Sequence, residues 1–367
     1  MKRYLIVLGT RPEAIKMCPL ILSLKAKPGV EVRLLLTGQH RDMVGPVLDF
    51  FGVQADVCLD VMRQGQSVGE LTGRLLRVLP SHMEGDRRPD LVLVHGDTTS
   101  AFVGALCAFY AGIPVAHVEA GLRTGDVHAP FPEEFNRRAI DAVSDLYFSP
   151  TEAATARLIA EGYPKERIFT VGNTATDALR LCLERPPSWP FDTAGRRLLV
   201  ITAHRREMSC EERYALLTAI RQEIEGREDV QAVLPVHPSP VVEQAAKEAF
   251  AGCANVRLTP PLALPDMQHL LSRAYLLLTD SGGMQEEATY LGLPTLVLRD
   301  VTERPEGVRA GVLQVVGTKG EDVRAALGEL LDRRELRERM AKPSWVYGDG
   351  YVSHRIADIL ARWEIKS

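Results

Sequence analysis

Three carboxylates at predicted strand and helix ends are the side chains best suited to chemistry in this sequence. Asp97 follows the apolar run Leu91–His95, Glu119 ends the run Pro114–Glu119, and Glu133 opens a predicted helix. Carboxylates that share a site of low dielectric push their pKa values apart, which suits general acid and base roles. Each one alone is more often a helix cap or an ion-pair partner. Convergence of all three would indicate proton transfer.

A glycine turn in the second half has the features of an anion site. Tyr275–Leu278 is a short apolar run, Ser281, Gly282 and Gly283 interrupt it, and a helical pattern starts at Met284. Glycines let the backbone approach a ligand, and the N–H groups and dipole of a helix N-terminus attract negative charge. An ordinary strand-to-helix turn with a serine cap is the alternative interpretation.

Cations and histidines follow several other predicted strands. Arg11 and Lys16 surround a helix start after the first strand and suit a diphosphate. His204 and Arg205 follow one strand of the second half and His237 follows another, where they can bind phosphate or move protons. The chain lacks a Walker loop and a Gly-x-Gly-x-x-Gly motif, and no spacing resembles a metal-ligand set, so we predict neither a nicotinamide site nor a metal site.

Strand-like and helix-like segments alternate along the chain, which predicts an α/β protein with parallel, doubly wound sheets. A proline-rich linker at 183–195 and a restart of the alternation predict two domains. We place the first at 1–182, the second at 183–346 and a C-terminal helix at 347–367. Ligands of such sheets bind at the carboxyl ends of strands, where the polar clusters fall.

The composition excludes several classes of protein. A net charge of −4 gives no reason to expect nucleic acid or an acidic membrane as partner, and no apolar stretch is long enough to span a bilayer. The six scattered cysteines contain no Cys-x-x-Cys pair, which favours reduced thiols and a cytoplasmic location.

The motifs together resemble the bacterial non-hydrolysing UDP-N-acetylglucosamine 2-epimerases. They occur in order over nearly the whole chain: GTRPEAIK at 9–16, HGDT at 95–98, HVEAGLRTG at 117–125, PEE at 132–134, HRRE at 204–207, PVH at 235–237, TDSGGMQEE at 279–287, the segment 299–306, and YGDG at 347–350. After HRRE the family usually continues with Asn and a glycine-containing loop, whereas this chain reads Met-Ser-Cys-Glu-Glu.

The resemblance implies two Rossmann-like domains that face a cleft, as in glycosyltransferases of the B fold, with a C-terminal helix that crosses back to the first domain. It also implies reversible C2 epimerisation of UDP-GlcNAc and UDP-ManNAc through 2-acetamidoglucal and UDP, without a cofactor, in supply of cell-surface polysaccharide. A glycosyltransferase of the same architecture, a hydrolysing epimerase that releases ManNAc, and a nucleotide-sugar sensor are the alternatives.

The resemblance further assigns roles to individual residues. The implied acid/base group is Asp97, Glu119 and Glu133, with Asp97 and Glu119 the favoured pair for C2. The other implied roles are His204 at the diphosphate, Arg11, Lys16 and Arg304 as charge partners, Ser281, Gly282 and Gly283 as diphosphate donors, Glu287 at the ribose, and Gln39, Arg205 and His237 at a possible allosteric site. A homodimer is expected on the same ground.

Overall fold

The computed structural model describes residues 1–39, 41–63, 65–188, 191–203 and 208–364. The chain divides into two compact units, one formed by Met1–Ala178 with Gly348–Ser367 and the other by Leu179–Tyr347. In the described ranges, no helix combines the length and the apolar character that a membrane span requires.

The first unit alternates strands and helices, as the periodicity predicts. Its elements in chain order are β1 (Lys2–Leu8), α1 (Arg11–Lys25), β2 (Val30–Leu36), α2 (Arg41–Phe51), β3 (Val57–Cys58), α3 (Val68–Val78), β4 (Leu91–His95), α4 (Thr99–Tyr110), β5 (Val115–Val118), α5 (Glu133–Val143), β6 (Leu146–Ser149), α6 (Glu152–Ala160), β7 (Ile168–Thr170) and α7 (Ala175–Leu183).

The strands of this unit form one parallel sheet in the order β3-β2-β1-β4-β5-β6-β7. Tyr4 pairs with Val32 on one side and with Leu91 on the other, so β1 and β4 are neighbours although β2 and β3 separate them in sequence. The chain therefore reverses its direction of winding between β1 and β4. The runs of Leu, Ile and Val in these strands are buried, as expected of a sheet covered on both faces.

The second unit repeats this plan. Its elements are β8 (Arg197–Thr202), α8 (Cys210–Ile224), β9 (Val230–Pro235), α9 (Pro240–Ala249), β10 (Val256–Thr259), α10 (Leu264–Ser272), β11 (Leu276–Thr279), α11 (Gly282–Leu291), β12 (Thr295–Val297), α12 (Pro305–Arg309), β13 (Leu313–Val315), α13 (Gly320–Asp332) and α14 (Arg334–Met340). The sheet order is β10-β9-β8-β11-β12-β13, all parallel. The predicted α/β class with two Rossmann-like sheets is confirmed.

The last helix, α15 (Val352–Arg362), belongs to the first unit and packs against α1. The buried carboxylate of Asp177 accepts hydrogen bonds from the N–H groups of Val352 (3.0 Å) and Ser353 (2.7 Å), so α7 caps the N-terminus of α15. At the other end, Tyr4 Oη donates to the carbonyl of Leu360 at 2.8 Å. These contacts confirm the predicted return of the C-terminal helix.

One helix boundary was predicted wrongly, and several short elements were missed. Helix α11 starts at Gly282 rather than at Met284, because Ser281 acts as its N-cap and leaves both glycines in the first turn. Helix α13 and Met340 of α14 pack on the same apolar core. Helix α7 and the pair α12 and β13 were missed; each is short, and a proline or glycine flanks α12 and β13.

Candidate active site

The predicted acid/base residues of the first unit lie at the carboxyl edge of its sheet. Gly9 follows β1, Gly96 and Asp97 follow β4, and Glu119 follows β5. Strands β1 and β4 flank the point where the winding reverses, which is the ordinary place for a ligand in such a sheet. A Cβ placed on Gly96 would lie 3.5 Å from Glu119 Oε1, so this carboxylate lies directly beside the turn that carries Asp97.

Glu119 is held by donors from two different segments, and a histidine lies nearby. Its Oε2 forms an ion pair with Lys16 Nζ of α1 and accepts a hydrogen bond from Asn173 Nδ2 at 2.5 Å. His95 Nε2, at the end of β4, lies 3.7 Å from the same oxygen. The backbone of Glu119 has a φ of +71°, a left-handed conformation that is unfavourable for a glutamate and that tends to cluster at functional sites.

Asp97 is held by helix α5. Arg137 Nε donates to Asp97 Oδ2 at 3.1 Å, Arg137 Nη2 contacts the same oxygen, and Asn136 Nδ2 donates to the Asp97 carbonyl at 2.9 Å. Arg137 also reaches the buried carboxylate of Glu134 at 3.2 Å. Asp97 keeps a quarter of its side chain exposed, whereas Arg137 is buried. Its carboxylate is therefore fixed in place and still accessible.

Glu13 joins the turn after β1 to the turn after β4. Its buried carboxylate accepts hydrogen bonds from the N–H groups of Gly9 (3.1 Å) and Thr10 (2.7 Å) and from Thr98 Oγ1 (2.9 Å). Burial raises the pKa of Glu13 to about 7, although these hydrogen bonds favour the ionised form. The Thr10-x-x-Glu13 spacing is a capping box and gave a sequence signal for this contact.

A buried histidine supports the Gly96 turn from β5. His117 Nε2 lies 2.8 Å from the Gly96 carbonyl, and Nδ1 lies 2.6 Å from Asp141 Oδ1. Asp141 also pairs with Arg123 at 2.7 Å. Burial acts to raise the pKa of Asp141, but His117 and Arg123 outweigh it and hold this pKa below its ordinary value. The network keeps an ionised group beneath the site without exposing it to solvent.

The remaining predicted residues of the first unit occupy the same edge. Glu133 is half-buried at the first residue of α5, and Arg11 is half-buried at the first residue of α1. Gln39 Oε1 accepts a hydrogen bond of 2.8 Å from Ser100 Oγ, which also bonds to Thr37. His204 and Arg205 lie outside the described residues.

In the second unit, the turn after β11 leads directly into α11. Ser281 Oγ accepts from the Met284 N–H at 3.5 Å. A Cβ on Gly283 would have no heavy atom within 4 Å, and one on Gly282 would lie 3.8 Å from Arg304 Nη2. Arg304 is paired with the buried carboxylate of Glu286. The first turn of α11 thus combines open backbone with a cation, which is the arrangement that binds a diphosphate.

Two further predicted residues have partners in the second unit. Glu287 Oε1 accepts a hydrogen bond from Gln268 Nε2 at 2.8 Å. His237 is exposed after β9, and its Nδ1 accepts from the N–H of Ser239 at 3.2 Å. Neither contact joins these residues to Ser281, Gly282 or Arg304.

Several residues of these sites were missed at the level of sequence. They are partners of the predicted groups: Glu13, His95, Asn136, Arg137 and Asn173. Among the residues that the structure describes, no group of three His, Cys, Asp or Glu side chains is arranged to hold a metal ion.

The fold and the polar strand ends define a two-unit α/β protein with a proton-transfer candidate in one unit and an anion-binding candidate in the other. Residues 22–361 match the model of the UDP-N-acetylglucosamine 2-epimerase family. The UDP-N-acetylglucosamine 2-epimerase of Bacillus subtilis is 46% identical over 356 residues, which cover 96% of this chain and 93% of that protein. The chain belongs to the UDP-N-acetylglucosamine 2-epimerase family.

Solved structures agree with this assignment. The UDP-GlcNAc 2-epimerase of Neisseria meningitidis bound to UDP-GlcNAc has a TM-score of 0.92 and 38% identity, over 99% of this chain and 100% of that one. A protein of S. aureus solved with UDP has a TM-score of 0.90 and 39% identity, over 98% of this chain and 96% of that one. The resemblance found in the sequence motifs is confirmed.

Proposed function

We propose that this protein interconverts UDP-GlcNAc and UDP-ManNAc by eliminating and re-adding UDP. A base removes the proton at C2, the C–H electrons form the C1–C2 double bond, and the C1–O electrons leave with UDP. UDP then attacks C1 of the 2-acetamidoglucal while a proton reaches the opposite face of C2. The reaction is balanced without an oxidant. Related proteins solved with UDP-GlcNAc and with UDP support this choice of substrate.

The observation that carries the proposal is the pair of fixed carboxylates beside Gly96. We assign Asp97 and Glu119 to proton transfer at C2, with Glu133 as a third member of the acid/base group. Asp97 is accessible and Glu119 is largely buried, so the two have different environments, as an acid and a base require. Lys16 and Arg11 supply positive charge at the same sheet edge.

The second unit is assigned to the nucleotide. Ser281, Gly282 and Gly283 would donate to the diphosphate, Arg304 would balance its charge, and Glu287 would bind the ribose. Charge develops on the leaving UDP in the transition state, where preorganised donors stabilise it most. The open space at Gly283 supports this assignment.

Further elements of the proposal rest on the family resemblance. His204 would lie near the diphosphate and assist UDP departure. Gln39, Arg205 and His237 would form an allosteric site for UDP-GlcNAc. The domain bounds 1–182, 183–346 and 347–367, a homodimer, a cytoplasmic location and a role in supplying ManNAc-type sugars for polysaccharide belong to the same proposal.

Incubation with UDP-GlcNAc in D₂O tests the reaction. We expect both UDP-sugars to accumulate with deuterium at C2, as observed by NMR. UDP with free ManNAc would instead indicate a hydrolysing epimerase. Transfer that depends on an added acceptor would indicate a glycosyltransferase, and absence of turnover with retained binding would indicate a sensor.

A further inference from the structure

His95 is a buried histidine that the proposed mechanism does not use. It ends β4, is 3% exposed, and lies one residue before the turn that carries Asp97. Its Nε2 has no hydrogen-bond partner among the described residues, although it lies 3.7 Å from Glu119 Oε2. A buried polar atom without a partner costs free energy, so its retention calls for a use in another state of the molecule.

The surroundings of His95 keep it neutral. Burial lowers its pKa to about 3, and the Lys16 cation adds to this effect whereas Glu119 opposes it. A neutral imidazole has one nitrogen that donates a hydrogen bond and one that accepts. His95 therefore offers an acceptor nitrogen, which the ammonium group of Lys16 and the Nδ2 of Asn173 do not provide.

Two other neighbours of Glu119 are donors. Lys16 contributes an ammonium group and Asn173 contributes its amide Nδ2. The amide orientation of Asn173 is fixed because its Oδ1 accepts from the N–H of Ala175 at 3.0 Å. Both donor groups suit a carboxylate, and neither the ammonium nor the amide nitrogen can accept a hydrogen bond from a carboxylic acid.

We infer that His95 is a positioning residue that accepts a hydrogen bond from Glu119 when this carboxyl group holds the proton taken from C2. The inference rests on the proposed function, because it assigns the C2 proton to Glu119. The proton leaves C2, bonds to Glu119 Oε2 and points at Nε2 of His95, and the C–H electrons pass into the C1–C2 double bond. A shortening of the present 3.7 Å by somewhat less than 1 Å completes the hydrogen bond.

Three substitutions at His95 separate this role from simple packing. His95→Gln places an amide oxygen at about the position of Nε2. The shorter side chain in His95→Asn does not reach that position, and His95→Leu has no acceptor. We expect kcat to fall by roughly 10- to 100-fold in His95→Leu and His95→Asn and by less than about fivefold in His95→Gln. UDP affinity should stay within about twofold in all three. His354→Gln, on the exposed face of α15, is the matched control.

The kinetic isotope effect with C2-deuterated UDP-GlcNAc gives the decisive reading. Loss of the hydrogen bond to the protonated carboxyl group slows proton transfer. We therefore expect the deuterium isotope effect on kcat to rise in His95→Leu and His95→Asn but not in His95→Gln. If His95→Leu fails to fold, the Asn and Gln pair decides alone. Equal kcat and equal isotope effects in these two variants would overturn the inference. Absence of C2 deuterium exchange in the wild-type protein would instead overturn the proposed function.

Discussion

The two units share one strand order over six strands but differ in what they place at the carboxyl edge of the sheet. In the first unit, the carboxylates Asp97 and Glu119 are each paired with a cation, Arg137 and Lys16. In the second unit, the equivalent strand, β11, is followed by a serine cap and two glycines in a helix start. The same topology therefore supports fixed charges in one case and open backbone in the other.

This difference shows how one fold serves two tasks. Proton transfer needs carboxylates whose position and protonation are set by their neighbours, so it draws side chains from several segments. Anion binding needs N–H groups that no side chain blocks, so it draws on the backbone of one turn. The first site should therefore be sensitive to single side-chain changes, and the second to added volume.

The largest expected effect is on the first site. In Asp97→Asn the amide cannot take up a proton, while Arg137 keeps its contact with the buried carboxylate of Glu134. We expect the rate of epimerisation to fall by roughly 10²-fold or more while UDP binding is mostly retained. Coupled assays of UDP-ManNAc formation and calorimetric titration with UDP measure the two quantities.

Asp90→Asn is the matched control, because this aspartate lies at the opposite end of β4 and accepts from the Arg3 N–H. It should leave the turnover unchanged. Near-normal turnover in Asp97→Asn would show that this residue has no role in the mechanism. It would also contradict the assignment of proton transfer to the first unit.

The next effect concerns the pH dependence of stability. Folding raises the pKa of Glu13 to about 7, so the folded protein binds this proton more tightly than the unfolded chain does. The contribution of Glu13 to the free energy of unfolding is fully present below its unfolded pKa and is lost as pH rises towards 7. Between pH 5 and 7 the unfolding free energy of the wild type should fall by about 2 kcal/mol from this group, a loss that Glu13→Gln should not show.

Glu70 provides the opposite case in the same motif. It completes an exposed capping box with Ser67, and the hydrogen bonds from Ser67 hold its pKa below the ordinary value. Ionised Glu70 therefore stabilises the folded protein slightly at pH values above its unfolded pKa. Glu70→Gln should remove this small contribution. Denaturant unfolding at several pH values measures both variants. Parallel profiles of unfolding free energy against pH for the wild type and Glu13→Gln would show that burial does not raise the pKa of Glu13.

The sequence predicted the backbone of both sites better than their side-chain partners. Apolar runs bounded by glycine located the ends of β4 and β11, because buried parallel strands have few alternatives. Arg137 and Asn173 were missed because they approach from α5 and from the segment before α7, about 40 and 54 residues distant in sequence. A contact of this kind depends on sheet order, and no local pattern records it.

The start of α11 was also predicted wrongly, and the error has a physical cause. Gly282 and Gly283 were interpreted as a break because glycine is a poor helix former. In the structure they are the first two residues of α11, where a cap from Ser281 offsets the low propensity. The predicted anion site remains at the same residues, since the free N–H groups belong to the first helical turn.

A methyl group at Gly283 tests the second site by volume alone. The Cβ has no atom within 4 Å, so Gly283→Ala should fold with unchanged or higher stability. In the proposed complex it would occupy space next to the diphosphate, and we expect UDP to bind roughly 10-fold more weakly, about 1.4 kcal/mol. Calorimetric titration with UDP measures this change. Unaltered affinity would show that the diphosphate does not approach this turn.

The smallest expected effect is the control for that substitution. Gly73 lies on the exposed face of α3, and a Cβ there also has no atom within 4 Å. Gly73→Ala should raise the unfolding free energy by about 0.5–1 kcal/mol through helix propensity and leave UDP affinity unchanged. Thermal unfolding and the same titration check both statements. Weaker UDP binding in Gly73→Ala as well would mean that added helix stability, and not occupied space at α11, lowers the affinity in Gly283→Ala.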